Sequence, residues 1–400
     1  MQHVFIIGAK GLGNYGGYES FLDKLTEYHQ HHPNIKYHIA CKINGSGKMD
    51  ESKLKGVKVL SDTEFEYHNA HCFKLKAWDV GSAQAILYDI KALKYCCNYV
   101  KKHHVDHPIV YILSSRIGFF VGYYAKKIHK YGGVYIHNSD GLEFKRGKYS
   151  FWVRKYWKIS EKLMVKNSDL EISDSKNIEK YICEEYADFK PKTVYIAYGA
   201  EVRRSTLQDD DSRFVEWLKK FDLSSHGYYL LVGRFVPENN FETMIKEFMR
   251  SSSKRDFAII TNVNGKFLRQ LECRLHFQKD KRIKFVGTVY DKELLMKIRE
   301  HAFAYIHGHE VGGTNPSLLE ALSSTELNLL LDVAFNREVA GDAALYWDKG
   351  EYSLASLINE SDVMPYSTIK MFGQAAKERI IKNYSWKFIS DKYAKIFTSE

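Results

Sequence analysis

No uninterrupted apolar run in these 400 residues approaches the roughly 18 that a membrane-spanning helix needs, and the first short one, at residues 4–7, stops at Gly8. The expectation is a chain with neither a transmembrane helix nor a signal peptide. Cysteine is sparse: Cys41, Cys72, Cys96, Cys97, Cys183 and Cys273 are scattered without a C-x-x-C pair. That argues against a disulfide framework or a zinc cage and for a reducing cytoplasm. Repeats of solenoid length and low-complexity segments are missing too. A composition of 44% hydrophobic and 27% charged residues excludes a disordered or fibrous chain, and the length suits two or three domains. Acid is what the first half is short of. Residues 1–200 carry a net charge of +9 and residues 201–400 only +1, so nearly all of the overall +10 lies in the first half. Such a half is attracted to nucleic acid, to anionic membrane or to an acidic substrate, and charge alone does not choose among them. No recognised nucleic-acid motif accompanies it.

What is present is a rhythm of short apolar runs alternating with longer amphipathic stretches, the pattern of a parallel sheet covered on both faces. Strands are expected at residues 4–7, 36–41, 109–113, 133–137 and 169–172. The pattern then restarts, with strands at 228–232, 257–260, 283–286, 304–306 and 327–331 and helices at 241–249, 291–301 and 316–323. Two doubly wound α/β units therefore follow one another. The polar stretch at 203–211 reads as a linker, its triplet Asp209-Asp210-Asp211 ending in the N-cap of a helix from Ser212 rather than binding metal. Units of this kind bind ligands outside the carboxyl ends of their strands, so the chemistry is sought in the loops there.

Three such loops stand out. The first strand runs into residues 8–19, GAKGLGNYGGYE, which contains G-x-G-x-x-G. A dinucleotide site wants an acid at the end of the second strand, where this chain has Cys41-Lys42, so NAD is disfavoured. Glycines before a helix start instead let backbone amides approach a phosphate or a sugar. The second unit opens with LLVGRFVPENNF at 230–241, which puts Arg234 at a strand tip where it can grip a diphosphate through two hydrogen bonds. An exposed surface ion pair is the plainer alternative for it. The third stretch, YIHGHEVGGTNPSLLEAL at 305–322, leads a strand through Gly312-Gly313-Thr314 into a helix with Pro316 in its first turn, so free amides and the helix dipole make an anion site. His307 and His309 invite a metal reading but lack a third ligand at suitable spacing, and no metal site is assigned.

Together these loops, in this order, resemble the retaining family 4 glycosyltransferases of the GT-B fold. The matching segments are G-G-x-E at Gly16 to Glu19, G-R-x-x-P-E at Gly233 to Glu238 and L-E-A at Leu319 to Ala321, with N-Y-S-W-K at 383–387 ahead of a last helix. The wording N-Y-G-G-Y-E, D-G-L-E-F-K-R and V-G-G-T-N-P-S-L-L-E-A is similar to bacterial rhamnosyltransferases that build capsule and cell-wall polysaccharide. Two departures are visible: Asn240 stands where the family usually carries a lysine, and Gly312 where it carries a glutamate, with Glu310 two residues out of register.

The resemblance implies two Rossmann-like domains facing a central cleft, with the boundaries 1–202, 203–380 and a closing helix 381–400 that crosses back to the first domain. It implies a metal-independent hexosyltransferase without a cofactor, moving L-rhamnose from dTDP-L-rhamnose to a lipid-linked, polyprenyl-diphosphate sugar acceptor. Arg234 would hold the donor diphosphate, with Gly16, Gly17, Asn240 and the amides of Gly312, Gly313 and Thr314 around the donor and Glu320 on the ribose. Another nucleotide-sugar donor or a nucleotide-sugar epimerase is the alternative within this class, and a basic nucleic-acid-binding protein the alternative outside it.

The strand ending in His137 continues through Asn138, Ser139, Asp140, Gly141, Leu142 and Glu143. A histidine and two carboxylates after a strand suit acceptor handling, and the resemblance favours His137 and Asp140 with Arg234 as catalytic residues and Asn138 and Glu143 as acceptor neighbours. An Asx turn at Asp140 and a helix cap at Glu143 are the plainer alternatives. Residues 145–166 then hold Lys145, Arg146, Lys148, Arg154, Lys155, Lys158, Lys162 and Lys166 against the single acid Glu161, interleaved with aromatics. Trp152, Tyr156, Ile159 and Leu163 recur at helical spacing, which suits either a helix lying on anionic lipid at the inner face of the cell membrane or an ordinary domain helix.

Overall fold

In a computed structural model of the chain, which describes residues 1–398 apart from 14, 15, 46, 79, 140, 146–148 and 264 and the side chain of residue 82, the apolar runs become strands of two sheets. The first is made by β1 (Gln2–Ile7), β2 (Ile35–Lys42), β3 (Lys58–Ser61), β4 (Glu64–Tyr67), β5 (Ala70–Leu75), β6 (Ile109–Leu113), β7 (Val134–Asn138), β8 (Leu170–Ser173) and β9 (Thr193–Tyr195). Their order is β3-β4-β5-β2-β1-β6-β7-β8-β9. Only the pairs of β4 with β3 and with β5 are antiparallel. Since the chain builds outward from β1 to β2 and later returns to β1's other side for β6, the strand order reverses at β1, and a crevice is expected at the carboxyl ends there. β6 is buried along its whole length, as a central parallel strand must be.

The second sheet is β10 (Tyr228–Val232), β11 (Asp256–Ile260), β12 (Ile283–Gly287), β13 (Ala304–His307), β14 (Asn328–Leu331) and β15 (Leu345–Trp347), in the order β12-β11-β10-β13-β14-β15 and parallel throughout. Its reversal falls at β10, the strand that leads to Arg234. Phe241, Met244, Ile245 and Phe248 recur on the inner face of helix Phe241–Arg250 and pack on the sheet. Asp211 caps helix Ser212–Lys220 by accepting from the Arg213 amide at 3.0 Å, and Asp209 pairs with Lys297, so two acids of the triplet are spent on structure.

The chain divides into two compact units, Met1–Gly199 with Trp386–Glu400, and Ala200–Ser385. The return point lies beyond residue 380 because helix Tyr366–Tyr384 runs on without a breaker inside the second unit. A side chain at Gly199 would meet the Trp386 ring at 2.5 Å, which pins the passage into the last helix, Trp386–Thr398. That helix buries Tyr393 and Phe397 beside Phe21, Tyr37 and Tyr111 of the first unit. Among the described residues no helix is long and apolar enough to cross a membrane.

Candidate functional site

In the second unit, β10 ends at Val232 and the chain turns through Gly233 and Arg234. The turn is held from below: Asn239 Nδ2 donates to the Arg234 carbonyl at 2.8 Å and the Val236 amide donates to it at 2.9 Å. The backbone of Arg234 is thus fixed while its side chain is exposed, and among the described residues its guanidinium has no ion-pair partner. The surface ion pair is not what this arginine makes.

Asn240 takes a left-handed conformation, φ 56°, as helix Phe241–Arg250 begins, a region asparagine tolerates better than most residues. Its Nδ2 donates to the Gly308 carbonyl at 2.8 Å and to Glu310 Oε2 at 3.1 Å. Lys349, just beyond β15, reaches the same Glu310 oxygen at 2.6 Å. The two departures from the family pattern therefore touch each other, and a lysine arrives at that spot from another element. Burial pushes the Glu310 carboxyl up, but the hydrogen bonds from Lys349 and Asn240 outweigh it and hold the group below the usual range.

The expected anion site at the start of helix Pro316–Ser324 is built differently from the sequence reading. Asn315 caps the helix, its Oδ1 accepting from the Ser317 amide at 2.9 Å and the Leu318 amide at 3.3 Å, and Pro316 has no amide to offer. The first helical amides are consumed, so the glycines of the preceding loop, Gly312 at φ 135° and Gly313, are the backbone groups left to consider. Glu320, half exposed on this helix, is gripped by the nearly buried Arg299 at 2.6 Å, which fixes the carboxylate expected on a ribose. Arg299 lies 21 positions away on another helix and gave no local signal. His307 is buried, and burial with the neighbouring His309 holds it well below the usual histidine range, so it stays neutral.

In the first unit, Gly16 precedes helix Gly17–His29, and Glu19 folds back so that its Oε1 accepts from the Lys10 amide at 3.0 Å. His137, at the end of β7, is fully buried: Nδ1 lies 2.9 Å from Glu171 Oε2 and Nε2 3.2 Å from Ser115 Oγ. It stands enclosed rather than on an open wall, because β8 pairs His137 directly with Glu171. Asn138 is buried too, donating to Tyr111 Oη at 2.8 Å. Glu143 accepts from Tyr149 Oη at 3.1 Å, while the helix that follows is capped at Ser150 without a side-chain bond, so Glu143 is not its cap. Asp140 lies outside the described residues.

Helix Phe151–Asn167 buries Ser160, Glu161, Met164 and Val165, so Trp152 and Ile159 of the stripe stay exposed, while Tyr156 is partly buried and donates to the Arg116 carbonyl at 2.7 Å. The reason is its neighbour, helix Gly118–His129: Gly118 donates to Ser160 Oγ at 2.8 Å, and a Cβ there would collide with the Ser160 carbonyl. Glu161 turns inward to accept from Tyr181 and Tyr186. Lys158 follows it to bond Glu185 at 2.7 Å and is no free surface cation.

Sheet order, strand-end loops and returning helix are those of the GT-B glycosyltransferase class. Residues 1–201 match the family described as a domain of unknown function (DUF1972), and the chain belongs to that family. Across 96% of its length it is 24% identical to an uncharacterized glycosyltransferase, MJ1069, of Methanocaldococcus jannaschii, covering 94% of that relative. Among solved structures it resembles sucrose-phosphate synthase of Thermosynechococcus elongatus, with TM-score 0.76 at 15% identity over 100% of this chain and 99% of that one. It also resembles Anabaena HepE in complex with UDP and glucose, with TM-score 0.72 at 12% identity and 100% of both chains covered. An E. coli trehalose-6-phosphate protein bound with UDP-2-fluoro glucose gives 0.73 at 9% identity over 99% of both chains.

Proposed function

We propose that the protein is a metal-independent retaining hexosyltransferase that moves L-rhamnose from dTDP-L-rhamnose to a lipid-linked saccharide. The carrying observation is the exposed Arg234 on a rigidly bonded turn at the point of strand reversal in the second sheet. In the transfer, the bond from the sugar's anomeric carbon to the diphosphate oxygen breaks and its electron pair leaves on dTDP. The acceptor oxygen bonds that carbon and its proton is released. Charge develops on the leaving diphosphate, where a preorganised guanidinium and loop amides stabilise it most. Glu320, fixed by Arg299, accepts from the donor's ribose, and Asp140 belongs to the acceptor side. HepE and the E. coli protein hold UDP or a UDP-sugar, which supports a nucleotide-sugar donor and makes UDP-glucose the comparison for the base and the sugar. Purified protein with dTDP-L-rhamnose and a chelator should release dTDP only when acceptor is added. Strict dependence on a divalent ion, or product from donor alone as an epimerase would give, refutes the reading.

The lipid-linked acceptor places the protein on the cytoplasmic face of the membrane. Supporting this, Phe119, Phe120 and Tyr123 on helix Gly118–His129 are exposed, as are Phe151 and Trp152 on the helix packed against it, Trp152 at 73%. Lys126, Lys127, Lys130, Arg154, Lys155 and Lys162 flank them. Attraction of about 1 kcal/mol per cation near an anionic surface suffices for reversible docking. Replacing Arg154, Lys155 and Lys162 by Ser should abolish sedimentation with anionic liposomes. Unchanged sedimentation, or equal binding to neutral lipid, removes the membrane from the proposal.

A further inference from the structure

We infer that the first unit carries a separate site for a phosphate or diphosphate group, in a pocket of about 210 Å³ at the strand reversal of its sheet. As a site for the acceptor, the inference rests on the glycosyltransferase reading. The walls come from the carboxyl ends of three adjacent strands, with Gly8 and Lys10 after β1, Lys42 at the end of β2 and Arg116 after β6, closed by Gln84 and Tyr88. Three cations line it, and among the described residues no carboxylate does. The volume is below the roughly 300–1,000 Å³ of pockets that enclose a drug-sized ligand, so it suits a charged group and not a whole glycolipid.

Two of the three cations, Arg116 and Lys42, are held in place. Arg116 Nε donates to Ser114 Oγ at 2.6 Å, and its Nη2 reaches the Gly8 carbonyl at 3.4 Å. Asp89, fully buried, stands 3.4 Å behind Arg116. Ser114 itself sits at φ 90°, a sparsely populated conformation for a residue with a Cβ, and such strain gathers where a side chain must be aimed. Lys42 Nζ donates to Gln84 Oε1 at 2.7 Å, and the Lys42 amide donates to the Lys10 carbonyl at 2.9 Å, which ties two of the cation-bearing loops together. Helix Gln84–Lys102 continues a short 3-10 turn, Gly81–Ala83, at the pocket, and the Gln84 amide is spent on the Gly81 carbonyl.

An independent observation is Tyr88. Its side chain lines the pocket, is 97% buried and has a hydroxyl with no hydrogen-bond partner among the described residues. A buried hydroxyl left so is costly unless a ligand oxygen completes it. Arg116 also comes three residues before the exposed Phe119, so an anion here would sit at the foot of the aromatic surface.

The test is calorimetric titration of the full chain with inorganic pyrophosphate in saturating dTDP, which occupies the donor side. One pyrophosphate should bind. Lys10→Gln with Lys42→Gln should weaken it tenfold or more and Tyr88→Phe severalfold, with dTDP affinity and melting temperature kept. A double variant that binds like the parent, or pyrophosphate binding that dTDP abolishes, overturns the site. Absence of dTDP binding by itself would count against the donor reading instead, with pyrophosphate alone still reporting on the pocket. Displacement of pyrophosphate by farnesyl diphosphate supports a lipid-linked source and displacement by glucose 6-phosphate a soluble one. Displacement by neither overturns the assignment to an acceptor.

Discussion

Replacing Asp89 by Asn is expected to stabilise the first unit at neutral pH, although it removes the acid that stands 3.4 Å from Arg116. Asp89 is fully buried, and burial raises its carboxyl to about 6, against the pull of Arg116. From an unfolded value of 3.8, the upward shift is about two units at 1.36 kcal/mol each, roughly 3 kcal/mol. The sign follows from proton counts. Below about pH 4 the folded and unfolded carboxyls are both protonated, and Asp89 costs no more than Asn. Between about pH 4 and pH 6 the folded state binds more protons than the unfolded one, so stability is lost as pH rises, and the whole penalty stands above about pH 6. The gap between variant and parent should therefore be near zero at pH 4 and widen to a few kcal/mol at pH 7. Urea unfolding read by hydrogen exchange in peptides from helix Gln84–Lys102 measures it within this unit. A gap independent of pH, or a variant less stable than the parent at pH 7, refutes the reasoning.

Arg234→Ala should lower the transfer rate a hundredfold or more, the loss of about 3 kcal/mol of leaving-group stabilisation. Its melting temperature should stay unchanged because the side chain is exposed, and near-normal turnover would take Arg234 out of the site. Lys349→Met should weaken donor binding about tenfold, since Glu310 then stands near the diphosphate without its counter-charge. Stability should move by less than about 1 kcal/mol for so exposed a pair, and unchanged donor affinity would make the pair a surface feature only. Gly8→Ala should destabilise the first unit by roughly 2–5 kcal/mol, because φ is 112° and a Cβ would lie 2.0 Å from the Leu113 carbonyl. A melting curve like the parent's would mean that β1 and β6 can separate there.

Central parallel strands were readable in the sequence because they are continuous apolar runs, and β6 and β10 coincide with their expected bounds. The short strands at the antiparallel end of the first sheet and the two three-residue strands were not. β3 is exposed at all four residues and β4 fully buries Phe65 alone, so over four residues neither shows a buried face that imposes an alternation. β9 and β15 span three residues each, too short for any period. The site divides the same way. Positions such as Arg234 and Glu320 are marked by their own neighbours in sequence. Their partners are not: Arg299 meets Glu320, Glu171 meets His137 and Lys349 meets Glu310 only through strand register and helix packing. The outward turn of Trp152 was equally hidden, since it depends on Gly118 letting another helix reach Ser160.

The last helix sets an order on the birth of the molecule. Tyr393 and Phe397 complete the wall that covers Phe21, Tyr37 and Tyr111, yet they are made only after the whole second unit. At about 5–20 residues per second, synthesis of the second unit, Ala200–Ser385, separates the two parts of the first by roughly 10–40 s. Through that interval the nascent first unit presents an open aromatic face. The unit that emerges first is thus the last to close, and a ribosome stalled anywhere in the second unit leaves a sticky half-protein for chaperones to hold.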